Sequence, residues 1–214
     1  MAVYDLEEQE QISALKGWWE DYGNWVTGLI AVAALAAVGW QGWQWYQGKQ
    51  AGEAGVLYFA VQQAVEHDDA QKARDAAGQL IGQYPGTTHA QMGALLSAGV
   101  QFHKGELDNA KAQLAWAAEK GADPALRDLA RLRLATVLQQ QGALDEALAR
   151  LQPVPAGQYK ARFEDLKGDV LATQGKSADA RVAYQAAMDA IGQDDERAAT
   201  LREVVRVKLE SLEG

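Results

Sequence analysis

Residues 22–48 contain no charged side chain, and nothing else in the sequence constrains the fold as tightly. As an α-helix rising about 1.5 Å per residue, the stretch reaches about 40 Å, enough to cross a hydrocarbon core of about 30 Å. Six of the seven tryptophans lie in or beside it. Trp18, Trp19 and Trp25 stand at one end, and Trp40, Trp43 and Trp45 at the other. Tryptophan favours the water–lipid boundary because its ring is apolar and its N–H needs a partner. Two such clusters flanking residues 26–39 mark the two surfaces of a membrane. A buried alanine-rich core helix would give no reason for large aromatics to avoid the middle. The expected organisation is an acidic tail at 1–21, a transmembrane helix with tryptophan belts and lipid contact at 22–48, and a domain at 49–214.

The segment before the span carries Asp5, Glu7, Glu8, Glu10, Glu20 and Asp21 against one base, Lys16. A cleavable signal peptide has a basic start and an early apolar core, so an uncleaved anchor is predicted. Charge leaves its direction open, with Lys16 on one side and Lys49 on the other. The short acidic tail has two readings, a nascent helix or a mobile segment, and charge alone favours the mobile one.

The net charge of −9 is spread along the chain, with one base and six acids before Lys49 and nineteen bases and twenty-three acids from it onward. That pattern gives nucleic acid no basic face as a partner, and the span no flanking polybasic segment for anionic lipid. The chain has no cysteine, which excludes disulfides and thiolate chemistry.

After residue 52 the sequence reads as successive helices rich in alanine, leucine and glutamine. Gly105, Gly142 and Gly175 end the first helix of three pairs, where a left-handed cap suits glycine. Alignment on these glycines exposes a repeat with spacings of 37 and 33 residues. Seven positions before each glycine stands a small residue, Ala98, Ala135 or Gly168. After each come an alanine and a larger residue: Ala110 with Leu114, Ala147 with Leu151, Ala180 with Tyr184. Small side chains let two helix axes approach, and the large one fills the groove beside them. A weaker first unit has Asp68 in the glycine position. The period is near the 34 or so residues of a tetratricopeptide repeat. The predicted fold is therefore all-α, a single amino-terminal transmembrane helix followed by a tetratricopeptide-repeat-like helical-hairpin solenoid. Asp123 and Pro124 are expected to open one helix, and an amphipathic stretch at about 197–212 to cover the end of the stack.

No constellation of residues supports catalysis, a cofactor or a metal. His67, His89 and His103 lack the spacing of a zinc helix. Gly175-Lys176-Ser177 imitates the end of a phosphate loop, but Val170 stands where the first glycine belongs. It is expected to be a turn, with Ser177 as a helix cap. The acid pairs Asp68-Asp69, Asp145-Glu146 and Asp194-Asp195 are expected near helix starts. Ala33 and Ala37 form a small-xxx-small pair that could admit another helix in the membrane.

The sequence Val3-Tyr4-Asp5-Leu6-Glu7-Glu8-Gln9-Glu10, then Leu15-Lys16-Gly17-Trp18-Trp19, resembles the ancillary subunit of the bacterial Sec translocon (the YfgM family). The resemblance continues through Gly39-Trp40-Gln41-Gly42-Trp43, Tyr84-Pro85-Gly86-Thr87 and Gly105-Glu106-Leu107-Asp108. It implies a type II, single-pass protein of the bacterial inner membrane, its tail cytoplasmic and its repeat domain periplasmic. It implies as partners the Sec translocon, a membrane-anchored periplasmic prolyl-isomerase-type chaperone and other periplasmic chaperones that receive translocated proteins. It also implies a cytoplasmic role restraining a stress response regulator, and it supplies no catalytic residue. The alternatives from the residues alone are a general envelope scaffold or a signalling regulator of another inner-membrane complex.

Overall fold

The computed structural model describes residues 2–191 and 198–212, with side chains from residue 10 onward. The chain divides into two compact units, Met1–Lys49 and Gln50–Gly214. The described residues form helices and turns, without strands. Helix α1 (Ala2–Glu66) supplies all of the first unit and the opening helix of the second. The segment expected to be a mobile tail is helical from Ala2. Its run of leucine, glutamate, glutamine and alanine has high helix propensity, which charge alone leaves out of account. The helix also passes residue 48 without a break, because no proline occurs before Pro85.

The second unit continues with α2 (Ala70–Gln83), α3 (Thr88–His103), α4 (Leu107–Lys120) and α5 (Pro124–Gln140). It ends with α6 (Leu144–Arg150), α7 (Lys160–Thr173), α8 (Ser177–Ala190) and α9 (Ala199–Ser211). The last part of α1 pairs with α2, and α3 with α4, α5 with α6 and α7 with α8 follow as hairpins.

One backbone device makes all four turns. Gly105, Gly142 and Gly175 take φ of +78°, +76° and +76°, as the repeat alignment predicts. In the first hairpin Asp68 takes their place at φ +52°. The residue after each returns its N–H to a carbonyl five positions back. These bonds are Asp69 to Ala64 at 2.9 Å, Glu106 to Gln101 at 2.8 Å, Ala143 to Leu138 at 2.9 Å and Lys176 to Leu171 at 3.0 Å. This closes the helix end in a Schellman turn and satisfies carbonyls the helix leaves unpaired. The next helix starts at once, so its N-cap is the residue directly after the turn. That corrects the expectation for Ser177: Lys176 is the N-cap, and Ser177 is the first helical residue. In the first hairpin Asp69 is the N-cap, and its carboxylate accepts from Lys72 N–H at 3.0 Å. Asp145 and Glu146 occupy the first turn of α6. Asp194 and Asp195 lie outside the described residues, as does Arg197 at the start expected for the last helix.

Connections between hairpins are held by side chains. Asp123 caps α5 by accepting from Leu126 N–H at 3.0 Å, with Pro124 as the first helical residue. Buried Gln91 reaches across from α3, donating to the carbonyls of Ala117 and Asp123, both at 3.1 Å. Its own oxygen accepts from Asp123 N–H at 2.9 Å. Gly121 is required there, since a Cβ would fall 2.0 Å from the Gln91 amide nitrogen.

Candidate functional site

In the first unit, α1 presents its apolar residues outward. Trp18, Trp19, Trp25, Trp40, Trp43 and Trp45 are all exposed, Trp25 at 81%. Leu29, Ile30, Val32, Leu35 and Val38 between them are exposed as well. Ala33 and Ala37 are exposed one turn apart. Near the amino-terminal cluster, Trp18 lies 6.3 Å from Trp19 and 5.9 Å from Tyr22, measured between rings. The Trp19 ring covers Gly23, where a Cβ would meet it at 3.1 Å. At the other cluster the Lys49 ammonium stands 6.0 Å from the Trp45 ring. Among the described residues this is the helix long and apolar enough to cross a membrane.

In the second unit, the repeat positions fall in the core. Ala110, Ala147 and Ala180 are fully buried, and Ala98, Ala135, Leu114, Leu151 and Tyr184 are buried beside them. Gly168 lies against Tyr184. Trp116 on α4 is half-buried and packs against two clusters of the core. The remaining surface of interest is a groove of about 430 Å³ between α3 and α5, the first helices of neighbouring hairpins. Leu96, Gly99 and Phe102 line one wall, and Arg133, Thr136 and Val137 the other. Gly99 leaves its floor open, with no atom within 4 Å of where a Cβ would stand. Arg133 spans the groove, donating to the Leu95 carbonyl at 3.2 Å. The lining is apolar apart from His103, Arg133 and Thr136.

The polar residues that sequence reasoning misses lie at the end of the stack. Lys208 of α9 donates to Asp165 and Asp169 of α7, both at 2.7 Å. The Tyr184 hydroxyl of α8 donates to Asp169 at 2.8 Å. Burial, and then the bond to Asp169, pushes the Tyr184 phenol above its usual range. Burial pushes the Asp165 carboxyl up despite Lys208. Burial alone would lower the Lys208 ammonium, but its bonds to the two carboxylates outweigh that and raise it. In the sequence Asp165 and Asp169 stand among Lys160, Arg162, Glu164 and Lys167 on the same helix, so nothing local marks them out. These bonds latch the three helices together. Among the described residues no group of three histidine, cysteine or acidic side chains is placed to hold a metal.

A family profile described as a tetratricopeptide repeat-like domain matches residues 16–214. A curated relative from Neisseria gonorrhoeae, named ancillary SecYEG translocon subunit, is 32% identical over 208 residues, covering 97% of this chain and 98% of that protein. The chain belongs to the ancillary SecYEG translocon subunit family. A relative of the same name from Haemophilus influenzae is 27% identical over 200 residues, covering 94% of this chain and 98% of that protein. One from Escherichia coli is 30% identical over 125 residues, 58% of each chain. The match begins at Lys16, so it takes in the apolar stretch of α1 as well as the hairpin stack.

Proposed function

We propose that this chain is a single-pass inner-membrane subunit associated with the SecYEG translocon, acting by contact and without chemistry of its own. The observation that carries the reading is the kinship with translocon subunits along nearly the whole chain, the apolar helix included. A helix that exposes leucine, valine and tryptophan on every side finds its solvent in lipid, not water. Residues 22–48 are the span in this reading, with Trp18, Trp19, Trp25, Trp40, Trp43 and Trp45 at its two boundaries. Residues 1–21 face the cytoplasm and 49–214 the periplasm.

The periplasmic solenoid then meets polypeptide as it leaves the translocon and passes it to periplasmic chaperones, among them a membrane-anchored prolyl-isomerase type. The groove between α3 and α5 suits a short extended apolar segment of such a chain. Its walls are Leu96, Phe102 and Val137, and it is large enough for a few side chains. On the cytoplasmic side the acidic tail is the part available to restrain a response regulator. A photoreactive residue at Leu96 tests the client role during synthesis of a secreted protein. Crosslinks to the arrested, half-exported chain are expected, and crosslinks to the translocon alone would reject handoff while keeping the association.

A further inference from the structure

One side chain of the groove between α3 and α5 breaks the repeat. Counting back nine residues from the turn residues Asp68, Gly105, Gly142 and Gly175 gives Phe59, Leu96, Arg133 and Leu166. Three hairpins carry a large apolar group at this position, and one carries a cation. Arg133 is exposed, so packing in the core does not call for it. Its guanidinium is nevertheless held in place, by the bond from Nη1 to the Leu95 carbonyl across the groove. Arg131, Arg150 and Arg206 each meet a carboxylate, Asp128 at 3.0 Å, Glu119 at 3.1 Å and Glu203 at 2.5 Å. Among the described residues no carboxylate pairs with Arg133. Acids outnumber bases 29 to 20 in the chain, yet the groove lining holds Arg133 and His103 and no acid.

We infer that the groove selects extended segments carrying an acidic side chain two residues from a large apolar one, with Arg133 taking the carboxylate. The inference rests on the client reading of this groove. Gly99 and Thr136 share the position six before the turn, and the apolar side chain enters there, over the open floor and between Phe102 and Val137. Arg133 stands three residues back from that level, about 4.5 Å along its helix. In an extended segment the neighbouring side chains on one face are i and i+2, about 6.6 Å apart. The long arginine side chain spans the difference. A guanidinium that spends one N–H on Leu95 keeps others in a planar fork, and that fork matches a carboxylate. A peptide carbonyl supplies oxygen without charge, and a lysine on the segment would meet a like charge. The carboxylate is a side chain's, since a chain in transit crosses the groove by its interior. Because the pair lies in solvent at the rim, it confers selectivity, and the apolar anchor supplies most of the affinity.

The test irradiates the full chain, in detergent micelles, with short peptides that are acetylated and amidated at their ends. Each has a photoactivatable leucine at its centre. Two residues to either side stands aspartate, asparagine or lysine, so both chain directions offer the same group to Arg133. Salt at about 0.1 M screens acids of the chain lying beyond about 10 Å. Adducts on α3 and α5 are located by mass spectrometry at subsaturating peptide. The aspartate peptide should give at least about threefold more of them than the asparagine peptide, the scale of an exposed ion pair. The lysine peptide should give the fewest. Arg133→Gln should bring the aspartate and asparagine yields together, and Gly99→Leu, which fills the floor, should remove both. Equal yields from aspartate and asparagine, still removed by Gly99→Leu, overturn the selectivity and leave the client groove standing. A preference for aspartate that survives Arg133→Gln overturns the assignment to Arg133. No adduct on α3 or α5 from any peptide overturns the groove reading and the inference with it.

Discussion

Gly168 of α7 and Tyr184 of α8 are shaped to each other: a Cβ on the glycine would lie 2.4 Å from the tyrosine ring. The pair stands in register with Ala98 and Leu114, and with Ala135 and Leu151. The smallest residue faces the largest, and intermediate sizes meet in the other two hairpins. The first hairpin reverses the order, with Val61 on its first helix and Ala77 on its second, both fully buried. Gly–Tyr and Ala–Leu fill nearly the same volume with a different distribution, while the Val–Ala pair of the first hairpin is smaller.

This makes a compensation test. Gly168→Ala should overpack the crossing and lower stability by about 1–3 kcal/mol, although alanine is otherwise the better helix former. Gly168→Ala combined with Tyr184→Leu rebuilds the Ala–Leu pair of the other hairpins and should recover much of the loss. Urea unfolding of the three proteins checks this. A double variant no more stable than Gly168→Ala would count against the shared register.

Asp68 gives a second test. It holds the left-handed conformation that glycine holds in the other three turns. Asp68→Val should cost about 1–2 kcal/mol, because a β-branched side chain meets the backbone there. Asp68→Gly should be tolerated, though it gives up an exposed ion pair with Lys104. Thermal melts in which valine and glycine behave alike would contradict the turn geometry.

The latch on α9 should be sensitive to alkali. The Lys208 pKa is raised, so its contribution is full below the ordinary lysine pKa and is lost as pH rises through the folded value. Tyr184 is raised too, so the unfolded chain ionises first and folding loses support above about pH 10. Asp165 is also raised, and its own contribution grows as pH falls. Stability measured from pH 9 to 12 (on the order of the tyrosine and lysine range) should decline. Lys208→Met with Tyr184→Phe should flatten that decline. An unchanged slope would mean the latch does not hold α9.

The hairpin architecture was legible because its punctuation is local. A glycine that must turn left-handed, and an alanine that must let two axes meet, both leave marks at fixed spacing. Asp68 was legible only as a gap in that pattern, and φ +52° explains why a residue other than glycine fits. The latch was not legible. Lys208 finds Asp165 and Asp169 from about forty residues away, and no local pattern encodes that meeting. The groove between α3 and α5 was hidden for the same reason, since Gly99 and Arg133 face each other only once hairpins stack. The length of α1 was misjudged where charge was weighed above helix propensity, at residues 2–21.

Orientation has its own measurement. Ser177 is exposed and the chain lacks cysteine, so Ser177→Cys reports a single site. It should react with a membrane-impermeant thiol reagent once the outer membrane alone is permeabilised. Labelling that waits for lysis of the inner membrane would place the solenoid in the cytoplasm.

Association with the translocon is the central claim, and crosslinking within the membrane tests it most directly. Leu35 lies mid-span and is exposed. A photoreactive residue at Leu35, in cells with the native translocon, should yield a crosslink to a SecYEG subunit. The yield should fall when residues 25–46 are replaced by an unrelated span carrying the probe at the same depth. If Leu35 yields no SecYEG adduct while the intact translocon is present in the same membranes, the assignment fails.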